Sequence, residues 1–234
     1  VYNLPQKIVA EFIGTFTFVF IGAGSICADQ YLRVANQGSV GLLGIAAASG
    51  LAFGIMVMAI GHISGGHYNP AITIGFWVTR RIGTLDAIFY WIAQLLGATA
   101  AAYLIKFIIP ETAWGSPGFL GTPGLARDFT RTHGMALEAV TTFFLVLVFF
   151  ATTVDTKGAF NRIAGFATGL TITIDILFAG PFTGAAMNPA RAFGPALALP
   201  HWQDQGVYWV GPLVGGVVAS FLYDRMFLQQ QPPA

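Results

Sequence analysis

Asn69-Pro70-Ala71 and Asn188-Pro189-Ala190 repeat one tripeptide, 119 residues apart in a chain of 234. Asparagine is a favoured helix N-cap, and proline suits the first helical position, where its missing N–H would have lacked a partner anyway. Each tripeptide therefore reads as the start of a helix. The apolar stretches behind them are too brief to cross a bilayer, which takes about 20 residues. Two half-helices meeting tip to tip in a membrane would gather two carboxamides and two positive helix ends. Such a meeting point donates hydrogen bonds to a neutral polar molecule and disfavours a cation, and that is the chemistry of a pore.

Other residues extend this chemistry. Gly65-Gly66-His67 and Gly184-Ala185-Ala186 precede the two tips and are expected to be extended, with carbonyls facing the path as a ladder of acceptors. Arg191 directly follows the second tripeptide. An arginine in the apolar zone costs about 2.5–3.5 kcal/mol on insertion scales, so it is expected to act at one mouth. Glu11 and Glu138 are read as structural, accepting hydrogen bonds from the backbone of the loops before the half-helices. Asp175 has no basic partner in its own helix, and protonation, a bond to a neighbouring helix and tuning of Arg191 are all open readings. His67 is a candidate to line the path and His62 to brace the loop.

The elements that must position these groups are spans. Hydrophobic residues make up 55% of the chain and charged residues 9%, against about 25% charged in a soluble domain, and mean hydropathy is +0.68. So few charges cannot coat a water-facing surface, so the solvent for most of it is lipid. Apolar runs predict six spans, at roughly 6–27, 39–60, 84–109, 134–154, 162–180 and 206–227. The first is expected to be a retained span rather than a signal peptide. Lys7, Arg80, Arg81, Lys157, Arg162 and Arg225 fall on one side of this topology, and Arg33, Lys106, Arg127 and Arg131 on the other. Six against four favours cytoplasmic termini.

The halves repeat. Glu11-Phe12-Ile13-Gly14-Thr15-Phe16 is echoed by Glu138-Ala139-Val140-Thr141-Thr142-Phe143, and Tyr90-Trp91 by Tyr208-Trp209 at an offset of 118. Three spans per half is an odd number, so the second half must enter from the opposite side, which makes an inverted 3+3 repeat with its site at the midplane. The expected organisation is a single transmembrane channel domain over 1–234, with repeats 1–109 and 132–234 and a connecting loop 110–131. The fold class is all-α, with six transmembrane helices and two half-helices.

The runs from Gly61 to Ala71 and from Met187 to Arg191, with the repeat and the two glutamates, resemble the aquaporin or major intrinsic protein family over essentially the whole chain. Ala179-Gly180-Pro181-Phe182 through Pro195, Val154-Asp155 and Val207 to Pro212 most resemble the plant tonoplast intrinsic subgroup. The resemblance implies passive conduction of water, exclusion of protons and ions, and a homotetramer of separate pores. By the family pattern the narrowest ring holds Arg191, Ala185 six residues before it, Ile176 fifteen before it, and Ser49 twenty before Asn69. Strict water channels of the family generally carry an aromatic and a histidine in this ring, and glycerol facilitators two aromatics. Tonoplast-type rings often have histidine where Ser49 stands. A Ser, Ile, Ala, Arg ring is expected to be wider than the water-specific one and to admit glycerol, urea or ammonia as well. Mercury-blocked members often have cysteine where this chain has Ala185, so insensitivity at that position is expected.

No catalytic constellation, metal cluster or cofactor fingerprint is found; the Gly61–Gly66 and Gly211–Gly216 runs lack the Lys-Ser/Thr of a phosphate loop and are read as close helix crossings. A net charge of +1 without a basic run gives nucleic acid no purchase, and the single Cys27 allows no internal disulfide. The remaining alternatives are an alternating-access carrier, for which only Asp175 could couple ions, and a structural or adhesion protein with a closed pore. The partners expected are water, small neutral solutes and lipid, and the host is expected to be the plasma membrane.

Overall fold

The computed structural model describes residues 2–157 and 163–228. Among the described residues six helices are long and apolar enough to cross a membrane: α1 (Leu4–Val34), α2 (Gly41–Ser64), α4 (Thr84–Ile108), α6 (Arg131–Thr153), α7 (Ala164–Thr183) and α9 (Gln205–Tyr223), the last prolonged by a π turn to Leu228. Two more, α3 (Pro70–Val78) and α8 (Pro189–Ala198), are the half-helices. The nine residues of α3 rise about 14 Å, half of a hydrocarbon core about 30 Å thick. Against the expected limits α1 is longer at both ends (4–34 against 6–27), α6 starts earlier at Arg131, α2 and α7 end later at Ser64 and Thr183 but start later at Gly41 and Ala164, and α4 ends at Ile108. At the start of α1, Asn3 Oδ1 accepts from Gln6 N while Gln6 Oε1 accepts from Asn3 N, a capping box that fixes two orphan donors.

The connecting loop is not featureless. It holds the short helix α5 (Glu111–Trp114) and a 3-10 turn at Phe119–Gly121, and its last residue, Arg131, already belongs to α6. Arg162, counted above in the charge balance and as the start of span five, lies outside the described residues, as do 229–234.

Packing repeats between the halves. α1 lies against α2 and α4, as α6 lies against α7 and α9, and α2 against α7 joins the two. Each half-helix rests chiefly on the last long helix of the other half, α3 on α9 and α8 on α4. Glycine permits these crossings. A Cβ on Gly50 would stand 2.2 Å from Gly169 O, and one on Gly169 would stand 2.5 Å from Gly50 O. The same constraint recurs at Gly97 against Phe12 O (2.5 Å) and at Gly215 against Ala139 O (2.1 Å), so in lipid the backbones themselves form the contact. The Gly211–Gly216 run is such a crossing. The Gly61–Gly66 run is not, because its C-terminal end turns the chain off α2, with Gly65 and Gly66 at φ +100° and +70°.

Large apolar side chains such as Leu43, Ile174, Phe178 and Phe107 are left on the outside, the pattern of helices bathed in hydrocarbon. Ion pairs tie helix ends together: Lys7 with Asp86 (3.1 Å), Arg81 with Asp224 (2.6 Å) and Arg131 with Asp204 (2.6 Å).

Candidate functional site

Asn69 and Asn188 cap α3 and α8 and bring the half-helix tips together. Asn69 Oδ1 accepts from Ala71 N at 2.8 Å, and Asn188 Oδ1 accepts from Ala190 N at 3.0 Å and Arg191 N at 3.2 Å. With the oxygens held by their own helices, each amide nitrogen is aimed away from its helix. Asn69 Nδ2 donates to Met187 O, and Asn188 Nδ2 donates to Tyr68 O, both at 2.9 Å. Each half thus grips the backbone just before the other half's asparagine. A carboxamide has two N–H donors, so one remains on each side chain after this exchange.

The segments before the tips are held by Glu11 and Glu138. Glu11 Oε1 accepts from Ser64 Oγ (2.6 Å) and His67 N (3.0 Å), and Oε2 from Tyr68 N (2.7 Å) and Gln94 Nε2 (2.7 Å). Glu138 Oε1 accepts from Thr183 Oγ1 (2.7 Å) and Ala186 N (2.9 Å), and Oε2 from Met187 N (2.7 Å). The hydroxyls serve twice, since Ser64 Oγ also accepts from Gly66 N and Thr183 Oγ1 from Ala185 N. Tyr90 and Tyr208 close each frame by donating to Ser64 O and Thr183 O. Both glutamates are fully buried. Converging donors are the condition under which a buried carboxylate is tolerated.

This scaffold imposes unusual backbone. Gly65, Gly66 and Tyr68 have positive φ, as do Gly184, Ala185 and Met187. For the non-glycines such angles cost about 1–3 kcal/mol each and persist only where surroundings dictate them; here the glutamate bonds to the neighbouring amides do so. Among the described residues, the carbonyls of Gly65, Gly66, His67, Gly184, Ala185 and Ala186 accept no protein hydrogen bond, whereas those of Ser64, Tyr68, Thr183 and Met187 do.

Arg191 is 7% exposed, and its Nη1 donates to Gly121 O at 2.8 Å. Ser49 in α2 turns its hydroxyl back to Ile45 O (2.9 Å), close to Gly22 of α1. Ile176 and Ala185 are buried in α7 and the loop after it. No hydrogen bond joins these four residues to one another among the described residues. The His67 ring has Nδ1 3.1 Å from Thr73 Oγ1 and packs against Phe76, Tyr90 and Phe149, while its Nε2 lies toward Gly65, where a Cβ would stand 3.2 Å from it. His62 packs edge-on against Tyr2 at the surface, and among the described residues its ring makes no hydrogen bond to the loop. Asp175 is 5% exposed with Oδ2 unpaired, so neither a neighbouring helix nor Arg191 bonds that oxygen.

Sequence reasoning missed Ser64 and Thr183, although their offset of 119 matches that of the asparagines and would have found them. It also missed Gly121, for which the sequence carries no signal. Trp91 Nε1, donating to Pro70 O at 3.3 Å, was visible only as part of a repeat landmark.

Six spans around two half-helices, each capped by its own asparagine and tied by that side chain to the backbone before the other, define an integral membrane protein of the channel-forming kind. The major intrinsic protein model matches residues 2–223, and the chain belongs to that family. It is 44% identical to the probable aquaporin TIP2-1 of Oryza sativa subsp. japonica over 96% of this chain and 89% of that one. It is 42% identical to aquaporin TIP2-1 of Arabidopsis thaliana, over 94% and 86%. The X-ray structure of the aquaglyceroporin from Plasmodium falciparum superposes with a TM-score of 0.84 at 25% identity, covering 97% of this chain and 98% of that one.

Proposed function

We propose that the chain is a passive channel for water that also admits small neutral solutes and excludes protons and ions. The observation that carries this reading is the reciprocal exchange between Asn69 and Asn188, which leaves one oriented amide N–H on each, at the positive ends of two half-helices. A water oxygen arriving there meets two donors and two positive dipole ends, so it is turned donor-outward and a cation is repelled. Pro70, Ala71, Pro189 and Ala190 keep the tips narrow. The unpartnered carbonyls of Gly65, Gly66, His67, Gly184, Ala185 and Ala186 supply acceptors on either side, so a file of molecules exchanges one protein partner for the next.

Ser49, Ile176, Ala185 and Arg191 form the constriction in this reading, with Arg191 as its fixed positive charge. The ring lacks an aromatic side chain, which supports passage of glycerol, urea or ammonia, and kinship with named aquaporins and an aquaglyceroporin is consistent with both water and solute transport. The inverted repeats 1–109 and 132–234, joined by 110–131, form one channel domain. Four copies assemble side by side in lipid, each conducting alone. The host is the plasma membrane with cytoplasmic termini; the TIP-type relatives make an internal membrane the competing outcome, which fluorescence localisation of the tagged chain decides.

The test is stopped-flow light scattering on proteoliposomes. Fast shrinkage under an impermeant osmolyte, followed by rapid reswelling in glycerol or urea, is expected. Shrinkage without reswelling would remove the solute claim, and saturable ion-coupled flux would replace the channel with a carrier.

A further inference from the structure

The connecting loop touches the site where Gly121 O accepts Arg191 Nη1 at 2.8 Å. That carbonyl is held against α1. Gly121 has φ +70°, and a Cβ there would stand 2.9 Å from Ala23 Cα and 3.2 Å from Ala23 O. Two turns further along the same helix, Gln30, 8% exposed, reaches into the loop, its Nε2 donating to Thr112 O at 2.9 Å, Gly115 O at 3.3 Å and Ser116 O at 3.5 Å. The loop closes over this amide so tightly that a Cβ on Gly118 would stand 2.1 Å from Gln30 Oε1. Its far side is fixed too, by Ala126 N donating to Phe182 O at 2.9 Å and by Pro123 packed on Gly184.

We propose that Gln30 is a positioning residue for Arg191, setting the guanidinium through the connecting loop and so helping to determine which solutes pass. This rests on the reading of Arg191 as part of the constriction. An arginine side chain has five donors on a flexible stem, and its direction is only as well defined as the acceptor it meets. Gly121 O belongs to a loop without a long helix of its own, and such segments are mobile unless tied down. Gln30 is the polar tie to α1, beside the packing of α5 and the Phe119–Gly121 turn on that helix. Without the Gln30 amide, the loop loses the two N–H donors that the carbonyls of Thr112, Gly115 and Ser116 share, it loosens from α1, and Arg191 samples positions away from the constriction. Passage of a larger solute is then affected more than that of water.

The experiment measures glycerol and water permeability of proteoliposomes containing wild type, Gln30→Ala, Gln30→Glu, Arg191→Ala and the double variant Gln30→Ala/Arg191→Ala. Gln30→Glu keeps the length and removes both donors. Both Gln30 variants are expected to raise the glycerol-to-water ratio about threefold or more, and Gln30→Ala to add nothing on the Arg191→Ala background, because the effect runs through Arg191. A merely structural role would lower both permeabilities together and leave the ratio where it was. An unchanged ratio in well-folded Gln30 variants, or an equal rise with and without Arg191, overturns the proposal. If Arg191→Ala itself leaves the ratio unchanged, the constriction reading fails, and the proposal with it. Should the Gln30 variants not fold, Gly121→Ala, which pushes the carbonyl off α1 directly, is expected to raise the ratio in the same way, and an unchanged ratio there overturns the proposal.

Discussion

Replacing Glu138 by glutamine changes one atom and tests the frame that shapes the second half-helix approach. The carboxylate accepts from Thr183 Oγ1, Ala186 N and Met187 N and donates to nothing. A carboxamide of the same shape has one accepting oxygen and one donating nitrogen. If the nitrogen takes the Oε2 place, it opposes Met187 N; if it takes the Oε1 place, it opposes Ala186 N. In either orientation one buried backbone N–H faces another donor. A stranded buried donor costs about 1–3 kcal/mol, and a hydrogen bond to a charged group contributes about 1.5–3 kcal/mol. Relief from burying a charge works in the opposite direction, so a net loss of about 1–3 kcal/mol is expected. The affected amides flank Ala185 and Met187, whose positive φ depends on those bonds, so the loop relaxes and Met187 O withdraws from Asn69 Nδ2. The assay pairs thermal unfolding in detergent with water permeability per reconstituted protein. Glu138→Gln is expected to melt several degrees lower and to conduct water several-fold less, with Glu138→Ala worse in both. A glutamine variant with wild-type melting and permeability would refute the argument, because it would mean the three donors do not need an acceptor-only partner.

Gly215→Ala brings a methyl within 2.1 Å of Ala139 O and is expected to fail to reach a monodisperse state or to lose more than about 1–3 kcal/mol of stability; size-exclusion profile and thermal unfolding check it. Asn188→Asp replaces the donor to Tyr68 O with an acceptor and puts an acid at the helix tips, so water flux is expected to fall sharply while Asn188→Ala falls less, measured by the same osmotic assay. Cys27, the single cysteine, is 1% exposed, and Ala185 offers no thiol, so permeability before and after a mercurial is expected to be equal, with Cys27→Ser indistinguishable from wild type.

How much could be read in advance varied with the range of the interaction. Local rules were enough for the half-helices: Asn then Pro is a capping pair wherever it occurs, and nine or ten residues cannot span a bilayer. The spans were legible because lipid demands long apolar runs, but their ends were misjudged by a few residues. Helix ends depend on caps such as Asn3 with Gln6 and Thr130 with His133 N, which hydropathy does not register. The connecting loop reads as a linker because glycine and proline mask short helical turns, and α5 with the Phe119–Gly121 turn packs against α1, a contact that no local pattern marks. His67 shows the same limit. Its place two residues before Asn69 makes it a candidate to line the path, but only the tertiary fold gives Nδ1 its place beside Thr73 Oγ1 and the ring its place among Phe76, Tyr90 and Phe149.

By itself the sequence determined the membrane environment, the six spans, the doubled tripeptide and the inversion that follows from three spans per half. Each rests on composition or on spacing along one stretch of chain. Only the tertiary structure decided that Asn69 reaches Met187 O and Asn188 reaches Tyr68 O, that α3 rests on α9 and α8 on α4, and that Arg191 donates to Gly121 O. These contacts join residues from 70 positions apart, as Gly121 and Arg191 are, to 145 apart, as Ala71 and Gly216 are. No local preference encodes them; they exist because glycine crossings let the helices close to backbone contact, and because donors buried in a low-dielectric interior must find acceptors wherever the fold puts them.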